Sequence, residues 1–179
     1  MKYLIFFLLF LNTLVAKTQT FKDLNDSLIY HYQAQRFEQA IPFAEKVVVF
    51  VKENYGEENK IHNTYLSMLA SLYISTQQLQ KAETVLLQSN SANKKLFTEN
   101  SKEFIKGITL LAIVYSGMGQ DDKAIPLLTK AMEYYKSTGG EADPEYAASQ
   151  NKLAKVYESF GLYDKAEPLF ISAVEIRKK

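Results

Sequence analysis

The sequence predicts an all-α fold, an α–α solenoid of about four helix-turn-helix units, on three observations. First, Ala40, Ala82, Ala124 and Ala166 stand 42 residues apart, each opening a similar phrase: Gln39-Ala40-Ile41-Pro42, Lys81-Ala82-Glu83-Thr84, Lys123-Ala124-Ile125-Pro126 and Lys165-Ala166-Glu167-Pro168. Second, their neighbours keep the register. Tyr73, Tyr115 and Tyr157 lie nine residues upstream, Leu69-Ala70, Leu111-Ala112 and Leu153-Ala154 just before those tyrosines, and Gly119 and Gly161 five residues before the alanine, where the chain must turn. Third, apolar residues within a unit recur at helical spacing.

The units cover about residues 21–54, 63–96, 105–138 and 147–179. In the first, Leu24, Ala40 and Pro42 keep the register, with His31 where the tyrosine stands elsewhere. Val47-Val48-Val49-Phe50-Val51 suits a strand by propensity, but it is in register with the second helices, and helix prevails. The polar stretch Asn54-Tyr55-Gly56-Glu57-Glu58-Asn59 reads as a loop. In the second unit, Gln88 to Ser101 is rich in Ser, Asn and Lys, so helix end and loop merge.

The third unit places Phe104, Ile108, Leu111, Ala112 and Tyr115 on one stripe and Ala124, Leu127, Leu128, Ala131 and Tyr135 on another. Ser137 to Pro144 reads as the next loop. The fourth repeats the stripes with Tyr146, Leu153, Ala154 and Tyr157, then Ala166, Leu169, Phe170, Ala173 and Ile176. Asp164 with Glu167 three residues later predicts an N-cap and a carboxylate capping box. The prolines at 42, 126 and 168 are expected near the first turn of their helices, where a missing N–H costs little. The alanines have a packing reason: at the crossing of two antiparallel helices, a small residue lets the backbones approach.

At these residues the chain resembles the tetratricopeptide repeat, in the longer spacing of kinesin light chains and many bacterial relatives. The run from Ala147 to Phe170 is similar to the family's signature almost position by position, and Asp143-Pro144-Glu145-Tyr146 is similar to its inter-unit linker. The third unit matches well, the second less, and the first through Leu24, Ala40 and Pro42. The resemblance spans about Phe21 to Lys179. It implies a right-handed superhelix with a binding face and no cofactor.

Residues 1–16 differ in kind: Lys2, then an apolar run from Tyr3 to Leu11, ending near Leu14-Val15-Ala16. This is a secretory signal peptide by pattern, and it predicts an exported, periplasmic or envelope-associated protein with residues 17–179 as its domain. A membrane span needs roughly 20 apolar residues, and Asn12 and Thr13 interrupt this one too early; an uncleaved anchor is the weaker alternative. The chain has no cysteine, which excludes disulfides and a cysteine-linked lipid anchor.

Charge points to no partner, with 21 basic and 20 acidic residues. No basic stripe interleaved with aromatics appears, so nucleic acid is not expected. The Tyr and Phe residues mostly recur at repeat positions and are expected in the core. Chemistry has little to work with. His31 falls at a core position, and His62 has no second ligand at metal spacing. Gly139-Gly140 lacks the rest of a phosphate loop. Asp121-Asp122 sits at a helix start, where the dipole favours carboxylates. The chain is expected to be neither an enzyme nor a metal protein.

Stacked helix pairs leave a concave face lined by the first helix of each unit. By the resemblance, that face carries Asn25, Ile29 and Tyr32; Ser67, Ser71 and Ile74; Thr109, Ile113 and Ser116; and Asn151, Lys155 and Glu158. The expected partner is a protein or peptide, an extended segment or a helix held by side-chain amides and apolar contact. A solvated face without a ligand fits the same residues equally well. Leu169, Phe170, Val174 and Ile176 belong to a last helix with no successor. That predicts either a longer protein, in which this chain is the regulatory arm of an envelope enzyme such as one with a caspase-like peptidase domain, or self-association through the uncapped helix. The former is favoured.

Overall fold

The structure, a computed structural model, describes the backbone of residues 2–178 and the side chains of residues 17–178. The expected leader at 1–16 lies outside the described side chains. The described chain is helical throughout: α1 (Lys2–Gln33), α2 (Phe37–Tyr55), α3 (Lys60–Ser75), α4 (Leu79–Leu96), α5 (Lys102–Gly117), α6 (Asp121–Gly139), α7 (Pro144–Ser159) and α8 (Tyr163–Arg177). No helix among the described residues is long and apolar enough to cross a membrane. The chain forms two compact units, Met1–Thr76 and Gln77–Lys179.

In the first unit α2 packs on α1 and on α3. Its core holds Leu28, Ala40, Ala44, Val47, Val51 and Leu66, all essentially without solvent contact. The valine run is helical as the register requires, because Val47 and Val51, one turn apart, are buried while Val49 is exposed. Leu28, at the register position of Ala70 and Ala112, is the core leucine of the first pair; Leu24 is half-buried. His31 stacks on Phe43 with ring centroids 5.4 Å apart.

In the second unit each helix from α4 to α8 packs on the next. Two apolar clusters hold it together. One joins Ile105, Ile108, Ala131, Tyr135 and Tyr146. The other joins Ala112, Ala124, Leu128, Leu153 and Val156, and so ties α5, α6 and α7 at once. The four register alanines, Ala40, Ala82, Ala124 and Ala166, are all buried.

The turns inside the pairs share one conformation. Gln35, Gln77, Gly119 and Gly161, one period apart, have φ of 56°, 58°, 71° and 79°. A left-handed residue closes each first helix, and glycine occupies it without strain only in the last two pairs. A Cβ added at Gly119 or Gly161 meets nothing within 4 Å, so its cost is backbone strain alone. Gln77→Gly is expected to raise stability by about 0.5–1 kcal/mol and Gly119→Ala to lower it by about 1 kcal/mol. Equilibrium urea unfolding checks both; equal midpoints for the two variants would contradict this reading.

Caps alternate with the same period. Asn59 accepts from the Ile61 N–H at 2.8 Å, Ser101 from Phe104 at 3.2 Å and Asp143 from Glu145 at 2.6 Å, so α3, α5 and α7 begin on a side-chain cap. The helices after the tight turns begin at Arg36, Gln78, Gln120 and Leu162 with no side-chain cap. The expected cap at Asp164 is therefore wrong. α8 starts at Tyr163, because the left-handed Gly161 already delivers the chain in helical direction, and Asp164 lies inside the first turn.

The prolines are corrected for the same reason. The helices start earlier than expected, so Pro42, Pro126 and Pro168 are each the sixth residue, inside the helix. All three are exposed, so the carbonyl that loses its partner one turn back is on the watered side. The loops are also shorter than expected: Asn54 and Tyr55 belong to α2, Ser137 to Gly139 to α6, and the merged stretch resolves into α4 to Leu96 and a loop to Ser101. Lys52–Glu57, Lys94–Glu99 and Lys136–Glu141 bridge from each last turn to the following loop. These pairs are exposed and contribute little stability. Of the aromatics at repeat positions, Tyr73, Tyr135 and Tyr146 are buried and Phe104, Tyr115 and Tyr157 pack against the core, whereas Tyr30, Tyr32, Tyr55, Phe160 and Tyr163, off those stripes, are exposed.

Candidate functional site

None of the twelve predicted face residues is buried in the core. In the first unit, Asn25, Ile29, Ser67, Ser71 and Ile74 are half-buried and Tyr32 is exposed. The Tyr65 hydroxyl donates to Asn25 Oδ1 at 2.7 Å, linking α1 to α3 across this face. Tyr65 also stands edge-on to Phe21, 6.1 Å between centroids, and burial holds its hydroxyl above the usual phenol pKa. The register misses Tyr65, because its counterparts are Gly107 and Ser149.

In the second unit, Thr109, Ser116 and Asn151 are half-buried, and Ile113, Lys155 and Glu158 are exposed. Ala112 of α5 shares a cluster with Leu153 and Val156 of α7.

Three hydroxyls on these faces are bound to their own helices. Ser67 donates to the Asn63 carbonyl at 3.0 Å, Ser71 to Ser67 at 3.0 Å and Thr109 to Ile105 at 2.8 Å. Their protons are occupied, so toward a ligand they serve as acceptors. Donors come from the Asn151 amide and the Lys155 ammonium. Ile113 supplies the exposed apolar contact, 37% exposed. Within the second unit, an accepting hydroxyl at Thr109, a donating amide and one exposed aliphatic side chain suit a polypeptide, which offers both N–H and C=O groups along its length.

Other polar features lie away from these faces. The Tyr73 hydroxyl donates to Glu45 at 2.5 Å, and burial, then this bond and the Glu45 charge, push its pKa far above the ordinary phenol value. His62 is 1% exposed, with Nδ1 3.1 Å from the Glu57 carbonyl; it fixes the loop before α3 from inside. Asp121 is buried and accepts from the Ser159 hydroxyl at 3.3 Å, joining the start of α6 to the end of α7. A cavity of about 310 Å³ between the loop before α7 and the end of α8 is lined by Glu141, Tyr146, Ser172 and Glu175, and includes none of the predicted residues.

Residues 107–179 match the family model of the tetratricopeptide repeat. No curated protein sequence matches the chain significantly. Among solved structures, BtubC (BKLC) from P. vanneervenii superposes with a TM-score of 0.76 at 22% identity, over 84% of this chain and 60% of that one. A putative kinesin light chain of Podosopora anserina, with nearly identical TPR-like repeats, superposes with a TM-score of 0.74 at 22% identity, over 88% and 74%. A Rap protein complexed with competence and sporulation factor superposes with a TM-score of 0.69 at 18% identity, over 84% and 41%. The chain thus spans less than two thirds of BtubC, and at these identities the likeness is one of fold.

Proposed function

From the premise that the chain is an all-α array of tetratricopeptide repeats, we propose that it is a non-catalytic interaction scaffold that holds a peptide or helix segment of a partner protein. The observation that carries this reading is the face of α5 and α7. On α7, half-buried Asn151 and exposed Lys155 offer donors; on α5, Ile113 is exposed and the Thr109 hydroxyl, donating to the Ile105 carbonyl, is left to accept. A repeat fold of this kind supports it, since a Rap protein of the same fold is complexed with competence and sporulation factor. In the same reading the scaffold acts after export, directed by the segment at 1–16.

A peptide-array screen identifies a binding segment, and Asn151→Ala and Ile113→Asp then test the face. Each is expected to weaken binding roughly tenfold or more, since the first leaves a peptide group unpaired in the interface and the second places a charge against an apolar contact. Both positions lie off the core, so thermal stability should stay within about 0.5 kcal/mol of the parent. Binding that survives both substitutions would place the partner elsewhere.

A further inference from the structure

The cavity between the loop before α7 and the end of α8 lies at the place that a lysine side chain fills one repeat earlier. In the third pair, Glu99 in the loop before α5 holds two ammonium groups, Lys94 on one carboxylate oxygen at 2.6 Å and Lys130 on the other at 3.2 Å. Lys130 Nζ also lies 5.0 Å from the centroid of the Phe104 ring, so a carboxylate and an aromatic face hold one cation between them. One period later the positions of Glu99, Lys94, Lys130 and Phe104 carry Glu141, Lys136, Ser172 and Tyr146. Lys136 keeps the first contact, 2.8 Å from one oxygen of Glu141, but serine replaces the second lysine. Glu141, Tyr146 and Ser172 line the cavity of about 310 Å³, which Glu175 and Ile176 complete.

The lining keeps the chemistry of its filled counterpart. Tyr146 supplies an aromatic wall, Ile176 an aliphatic one, and Glu141 and Glu175 supply carboxylates. Of the neighbouring cations, Lys136 is engaged with Glu141 and stands 5.9 Å from the Tyr146 ring centroid. Exposed Arg177 and Lys178 follow Glu175 on α8, Arg177 two residues on and therefore turned away from it. The Ser172 hydroxyl accepts from the Gln150 amide at 3.0 Å, so the short side chain is engaged with α7. The same place stays accessible with helices stacked beyond it, because Glu99 is 46% and Lys130 39% exposed although α7 and α8 follow them.

We infer that this cavity binds a primary alkylammonium group, its nitrogen at the place of Lys130 Nζ, between the Glu141 carboxylate and the Tyr146 ring, and its alkyl chain along Ile176. The side chain of a lysine and a free alkylamine share this chemistry. The site uses none of the twelve face residues, so binding here and binding on that face succeed or fail separately.

Nitrogen-15 NMR on the full chain, titrated with n-butylammonium chloride at constant ionic strength, tests the inference. The amide signals of residues 141–146 and 172–176 are expected to shift, with a Kd on the order of 1–10 mM for so small a probe. Neutral n-butanol should leave them unmoved. Glu141→Gln should weaken binding about fivefold or more, and Ser172→Lys should abolish it by placing the protein's own ammonium in the cavity. Glu133→Gln, at the position of Glu175 one repeat earlier, removes one carboxylate where the lysine is already present and should leave the Kd unchanged. If Ser172→Lys fails to fold for want of the Gln150 bond, Glu141→Gln, whose side chain is 77% exposed, decides against Glu133→Gln. An acetylated and amidated Ala-Lys-Ala tripeptide separates the two sources: a lower Kd than that of n-butylammonium assigns the site to a lysine of a polypeptide, an equal or higher one to a free amine. Amide signals that stay still at tenfold the expected Kd overturn the inference. So do equal shifts with n-butanol, equal weakening by Glu133→Gln and Glu141→Gln, or full binding by a folded Ser172→Lys.

Discussion

Leu128→Ala costs the second unit about 2–5 kcal/mol, the range for a leucine removed from a closed core with incomplete collapse around the void. Leu128 is 1% exposed and belongs to the cluster that draws on α5, α6 and α7 together. The helices meeting there are fixed on both sides by further neighbours, so the site cannot close by shifting one of them. In a repeat array each pair is stabilised mainly by its neighbours, and the loss is expected across α5 to α8 rather than at α6 alone. Urea unfolding followed by circular dichroism gives the total, and amide hydrogen exchange gives its distribution. A total below about 1 kcal/mol, or exchange accelerated only in α6, would show that Leu128 does not hold this junction.

The opposite change one turn earlier, Ala124→Leu, is expected to cost about 1–3 kcal/mol by overpacking. Ala124 has no exposed surface and sits in the same cluster, so an added isopropyl group on its Cβ must push helices apart. The two substitutions act on one space. Ala124→Leu combined with Leu128→Ala conserves total side-chain volume, and the double variant should lose less than the two single losses added together, by about 0.5–3 kcal/mol of coupling. A strictly additive double variant would mean that the two side chains do not share a cavity, and the register would have to be redrawn.

The alanine register was legible because crossing two helices closely demands a small side chain at a fixed place, and the place recurs in every pair. Gly119 and Gly161 were legible for a similar reason, since glycine is the residue type that tolerates their conformation. Gln35 and Gln77 hold the same backbone shape, yet glutamine carries no trace of it. The caps Asn59, Ser101 and Asp143 keep the period through a shared oxygen acceptor and not through a shared residue, so matching by identity passes over them. Asp164 fails in the opposite way: it has the right residue type at the right spacing, but the turn before it decides where the helix begins.

The twelve face residues could be kept off the core by counting from the buried alanines. What counting could not show is which of their polar groups are already engaged. The back-bonding of Ser67, Ser71 and Thr109 depends on side-chain rotamers, and the Tyr65–Asn25 bond joins residues 40 apart in sequence. Nor could counting tell buried aromatics from exposed ones, because burial at Tyr30 or Tyr163 is set by whether another helix lies against it.

Side-chain caps at Asn59, Ser101 and Asp143, and their absence at Arg36, Gln78, Gln120 and Leu162, give the array a grain. A fragment cut to begin at a capped residue carries its own helix start. One cut to begin between the helices of a pair exposes amide groups that only the removed half had organised. Shortened versions for engineering should therefore be trimmed at Asn59, Ser101 or Asp143, in whole pairs, much as a plank splits cleanly in one direction only.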